Sequence, residues 1–131
     1  MLVLDSEGLS RLVRRDRDMM ALAKGLAARG EPVVASAATL VEAINPAVAP
    51  AAVLWAVSGL EIVDVTRAVA LAAAGLLRAA GRHGHADALD AIVGATAVLA
   101  KDRPVTVLTS DPRDLSALLD DHPEISVLAT T

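Results

Sequence analysis

Five carboxylates, Asp5, Glu42, Asp90, Asp111 and Asp114, lie in four separate segments of a 131-residue chain. Gathered in one place, they would offer hard oxygen ligands, the donors that Mg²⁺ and Mn²⁺ prefer. Taken singly, most have a structural reading. Asp5 or Ser6 suits the cap of a first helix, because a side-chain oxygen there accepts from free backbone N–H groups. Asp111 suits a cap even better, with Pro112 at the first helical position and Asp114 at the third. Glu42 falls opposite Leu40 and Ile44 on its helix, the side that faces water. Asp90 is different. It opens the run Asp90-Ala91-Ile92-Val93-Gly94-Ala95-Thr96-Ala97-Val98, which is apolar nearly all round and therefore reads as a buried helix. Asp87 lies three residues earlier on the same face, so the pair repels unless a cation joins it.

The elements that would position these acids follow from the apolar pattern. Short apolar runs at Leu2–Leu4, Pro32–Ala35, Glu61–Val65, Val105–Leu108 and Ile125–Leu128 read as strands. Between them lie helical patterns. One spans Ser6 to Arg29, where the charge cluster at 14–18 either separates two helices or forms one exposed face. Others run from Ser36 to Ile44, after Pro50, from Thr66 to about Arg82, from Ala86 to Ala100, and from Asp111 to Leu119. Strands alternating with helices, each strand a continuous apolar run, predict a three-layer α/β/α fold around a mainly parallel sheet of about five strands. No internal repeat or linker divides the chain, so residues 1–131 are expected to form a single domain. In an open sheet of this kind the functional crevice lies at the carboxyl ends of the strands. Asp5 directly follows the first strand there, and Asp111 follows the fourth after Thr109-Ser110.

Composition narrows the function further. There are 28 Ala, no Phe, no Tyr and no Cys, and Trp55 is the only aromatic residue. Such a chain has no thiol nucleophile, no Cys-ligated zinc and no disulfide, and it lacks the stacking platform of an RRM or OB-type binder. The start, Met1-Leu2-Val3-Leu4-Asp5, has no basic leader and predicts no signal peptide. Residues 43–60 carry no charge, but Asn45, Pro46, Pro50, Ser58 and Gly59 interrupt them, so two helical pieces around a turn are expected rather than a membrane span. The net charge is −4. Setting the five singled-out acids aside leaves 11 acids against 12 Lys and Arg, so the deficit belongs to the acidic group and does not exclude a nucleic-acid substrate. The segment His83-Gly84-His85 offers two imidazoles close to Asp87, too few ligands for a closed zinc site, and is expected to be a helix connection.

Four segments together resemble the PIN domain, the fold of metal-dependent ribonucleases that includes the VapC toxins of bacterial toxin–antitoxin pairs. Val3-Leu4-Asp5-Ser6 looks like the family's first acid, and Ser36-Ala37-Ala38-Thr39-Leu40-Val41-Glu42-Ala43 like the helix that carries its Glu. Asp90-Ala91-Ile92-Val93-Gly94-Ala95-Thr96-Ala97 is similar to its most recognisable segment. Val107-Leu108-Thr109-Ser110-Asp111-Pro112-Arg113-Asp114-Leu115 is similar to its closing motif. The resemblance covers essentially the whole chain. The sequence departs from the pattern at Leu115, where many members have Phe, and at Ile44-Asn45-Pro46, where basic residues often follow the Glu.

The resemblance implies a Mg²⁺- or Mn²⁺-dependent endoribonuclease with Asp5, Glu42, Asp90 and Asp111 as catalytic acids, and Asp5, Asp90, Asp111 and Asp114 as metal ligands. Ser6 and Arg113 are candidates for substrate contact, and Arg82, Arg11 and Arg14 for phosphate contact. It also implies an RNA substrate, a cognate antitoxin, a homodimer, a cytoplasmic location and no membrane. A PIN-like binding or scaffold module without catalysis is the alternative. A dehalogenase-like phosphatase fits less well, because Asp5-Ser6-Glu7 has Glu where that signature needs a second Asp. A receiver domain fits poorly too, since Lys101 precedes the fourth strand.

Overall fold

In a computed structural model, which describes residues 1–130, the strands are β1 (Leu2–Leu4), β2 (Val33–Ser36), β3 (Glu61–Val63), β4 (Val105–Thr109) and β5 (Ile125–Ala129). The helices are α1 (Ser6–Val13), α2 (Arg17–Ala28), α3 (Ala37–Ala43), α4 (Pro50–Ser58), α5 (Arg67–Ala80), α6 (Gly84–Val98) and α7 (Pro112–Leu118). The sheet order is β3-β2-β1-β4-β5 and all four pairings are parallel. Successive strand residues face opposite sides, and both sides are covered. Val3, Val34, Val105 and Val107 pack with residues of α5, α6 and α7. Leu2, Leu4, Val33 and Leu108 pack with residues of α1, α2 and α4. The three layers, α/β/α, thus arise from continuous apolar strands that must bury two faces.

Short side chains replace aromatics in this core. Ala73 on α5 and Ala91, Ala95 and Ala97 on α6 are buried, which lets these two helices approach closely. A Cβ at Gly94 would lie 3.2 Å from Leu76 Cδ1, so glycine admits α5 against α6 there. Leu115, at the position where the family often has Phe, is fully buried and fills the space beneath α7.

Local chemistry sets the boundaries. The charge cluster does divide two helices: Arg15 takes a left-handed φ of 58°, and Asp16 caps α2 by accepting from the Met19 N–H at 2.9 Å. Ser36 caps α3 and Thr66 caps α5, each accepting an N–H at 3.2 Å. The uncharged stretch separates into α3 and α4 around Asn45, whose side chain accepts from the Ala47 N–H at 2.8 Å. Among the described residues no helix is long and apolar enough to cross a membrane. β3 is shorter than the apolar run suggests. It ends at Val63 because its partner Ser36 is the last residue of β2 before the chain turns into α3, leaving Asp64 and Val65 without a ladder.

Candidate active site

The strand order reverses between β1 and β4. β2 and β3 extend the sheet on one side of β1, and β4 and β5 on the other. A crevice opens at the carboxyl ends of the strands at such a switch, and the residues there are Asp5, directly after β1, and Ser110 and Asp111, directly after β4. Asp5 is only 5% exposed. Its Oδ1 accepts from the Gly8 N–H at 2.9 Å, capping α1, and its Oδ2 accepts from the Ser110 N–H at 2.9 Å. Each oxygen keeps a second lone pair free for a further partner.

Asp111 stands at the start of α7, yet its carboxylate makes no capping bond. Thr109 Oγ1 instead accepts the Asp111 N–H at 2.9 Å, while the Asp111 carboxyl pairs with that of Asp114. That pairing, with partial burial and the Asp114 charge, raises the pKa of Asp111. Asp114 is lowered, first because it accepts from Arg82 and then because it pairs with Asp111.

Asp90, on the second turn of α6, faces this group. Burial, followed by the charges of Asp111, Asp114, Glu42 and Asp5, pushes its pKa up to about 6. The other four acids singled out in the sequence therefore all act on Asp90, although Glu42 is exposed on α3. α3 and α6 pack together, which brings Glu42 near. Ser6 opens α1 beside Asp5, and Arg113 is exposed on the first turn of α7.

The tightest acidic grouping among the described residues is Asp87, Asp90 and Asp114, whose carboxylate oxygens lie within 4.8 Å of one another. Two of these belong to the ligand set inferred from the family resemblance. Asp5 and Asp111 of that set lie outside the triad, though their charges reach Asp90. Oxygens at this separation fit around one hard cation. Asp87 was visible in the sequence as a repelling neighbour of Asp90, not as a member of the site. Arg82 is the second residue whose place was missed: its Nη1 lies 2.7 Å from Asp114 Oδ1 and 3.7 Å from Asp87 Oδ1. It supplies a cation to Asp87 and Asp114, while Asp90 keeps a raised pKa. No local signal could have found it, because its shortest contact, Asp114, lies 32 positions later in the chain. His83 and His85 are exposed and take no part in the grouping; His83 precedes α6 and His85 is in its first turn.

The sequence matches no family model and no curated protein. Among solved structures, a chain from the crystal structure of VapBC2 from Rickettsia felis, bound to a DNA fragment from their promoter, is similar with a TM-score of 0.72. The match covers 99% of this chain and 98% of that one, at 14% identity. At that identity the likeness speaks for architecture. The protein has the three-layer PIN-like fold of that chain, with Asp5 and Asp111 after β1 and β4, where the sheet order reverses.

Proposed function

We propose that this protein is a metal-dependent endoribonuclease and the toxin of a toxin–antitoxin pair. The observation that carries the reading is the convergence of Asp5, Glu42, Asp111 and Asp114 on Asp90 at the topological switch of the sheet. The donors are all carboxylates, which suits Mg²⁺ or Mn²⁺. A cation held by Asp90 and Asp114, with Asp5 and Asp111 beside them, would draw in a phosphodiester and acidify the attacking water. Asp90, whose pKa of about 6 reflects burial and then the neighbouring charges, would be kept ionised by that cation. Asp5 holds the ends of β1 and β4 in register and so fixes the distance between the two halves of the site. Glu42, exposed on α3, would reach the site through water. Ser6 and Arg113 flank the acids and would contact the substrate phosphate. By family resemblance the products would carry a 5′-phosphate and a 3′-hydroxyl.

The fold likeness to a chain of the VapBC2 complex supports a partner protein that acts as antitoxin; a homodimer and a cytoplasmic location follow from the family resemblance only. Such a partner would block the site by placing an Arg or Lys among the carboxylates. Residues 1–131 would act as one domain. The test is 5′-end mapping of total cellular RNA incubated with the protein in Mn²⁺ or Mg²⁺ and in chelator. Discrete ends that require the metal support the reading. RNA equally intact in metal and in chelator contradicts it.

A further inference from the structure

α5 ends on Gly81, whose φ of 65° turns the chain into the left-handed region, and the Arg82 N–H donates back to Leu77 O at 2.9 Å. This closure fixes the Arg82 backbone between the end of α5 and the start of α6. From there its side chain crosses to α7 and meets Asp114 at 2.7 Å, with Asp87 of α6 at 3.7 Å. Both of those acids belong to the three-carboxylate grouping around Asp90. A guanidinium already occupies part of the charge environment that a divalent cation would enter. The guanidinium and such a cation draw on the same carboxylates, so each reduces what the other gains.

Building on the metal-dependent reading above, we propose that Arg82 is a built-in counter-cation of the acidic site. It holds Asp87 and Asp114 in place when no metal is bound and lowers the affinity of the site for a divalent cation. Arg82 is thus a positioning residue that sets the cation concentration at which the site fills. It touches neither the reacting water nor the scissile phosphate.

The experiment uses the full chain, stripped with chelator, as wild type, Arg82→Gln, Arg82→Met and Arg82→Lys. Free Mn²⁺ is followed by electron paramagnetic resonance, and thermal unfolding is recorded in chelator and in Mn²⁺. Both neutral variants should melt lower than wild type in chelator, gain more from Mn²⁺, and bind it about three- to tenfold more tightly. Arg82→Lys, which keeps the charge, should stay close to wild type. A purely structural Arg82 would give the opposite sign, with weaker Mn²⁺ binding in the neutral variants. That result, or unchanged binding and unchanged metal-induced melting shifts while wild type binds Mn²⁺, overturns the role of Arg82 alone. Mn²⁺ binding by none of the four proteins overturns the metal-dependent function, and this inference with it.

Discussion

Ser110 donates its backbone N–H to Asp5 Oδ2 at 2.9 Å, joining residues 105 positions apart in the chain. The bond bridges the carboxyl ends of β1 and β4, the two strands between which the sheet reverses its order. Because the other Asp5 oxygen caps α1 through Gly8, one side chain ties a helix start and two strand ends into the floor of the site.

Asp5 therefore carries stability as well as charge. In Asp5→Asn one amide group must face a backbone N–H, donor against donor, in a buried position. We expect a loss of about 2 kcal/mol, and slightly more for Asp5→Ala, which forfeits the cap too. Urea unfolding at neutral pH in chelator checks this. Stability equal to wild type would show that the two bonds contribute little. A loss of activity in Asp5 variants is accordingly poor evidence for catalysis.

Asp90 gives a pH dependence of definite sign. Its folded-state pKa of about 6 stands above the ordinary 3.8, so the folded chain holds that proton more tightly than the unfolded chain. Its contribution to stability is full below about pH 4 and is lost as the pH rises through 6. Asp90→Asn removes this slope and should stabilise the metal-free protein above pH 7 by about 1 kcal/mol, after discounting for the half-exposed position. Denaturant midpoints of wild type and variant, compared at pH 4.5 and pH 7.5 in chelator, measure it. A variant less stable than wild type at pH 7.5 would mean that Asp90 is held by a favourable partner rather than strained by its neighbours.

Arg15 combines a cost and a gain. Its φ of 58° is unfavourable for a side-chain-bearing residue, while its guanidinium lies 4.3 Å from the centroid of the Trp55 ring. Arg15→Ala keeps the backbone cost and loses the cation–π contact, a loss of about 0.5 kcal/mol. Arg15→Gly loses the contact but relieves the backbone, and should be the more stable of the two by about 1 kcal/mol. Thermal melts followed by Trp55 fluorescence separate them. An alanine variant as stable as the glycine variant would contradict the backbone argument.

The fold was largely legible because it rests on local signals. Strands such as Leu2–Leu4 and Val105–Leu108 are continuous apolar runs, and Ser36 and Thr66, where the helical patterns begin, cap α3 and α5. Features that depend on distant partners were not. Val65 belongs to a β-like run, but strand pairing stops where Ser36 ends β2. Asp111 has the sequence surroundings of a helix cap, yet its carboxyl turns to Asp114, whose other partner, Arg82, lies 32 positions earlier in the chain. The need for a cation beside Asp87 and Asp90 could be read from their spacing. That the chain itself brings Arg82 to Asp87 and Asp114 depends on where Gly81 ends α5 and on how α7 packs beside it, which no local pattern encodes.

The central claim is that the acids around Asp90 form a metal-dependent ribonuclease site. Its most direct test is RNA cleavage with mapped 5′ ends, comparing wild type with Asp90→Asn, which should stay folded, in Mn²⁺ and in chelator. The account predicts cuts at defined positions bearing 5′-phosphates in Mn²⁺, none in chelator, and a rate at least about 100-fold lower in the variant. Cleavage that persists in chelator, or that proceeds equally in folded Asp90→Asn, would contradict it.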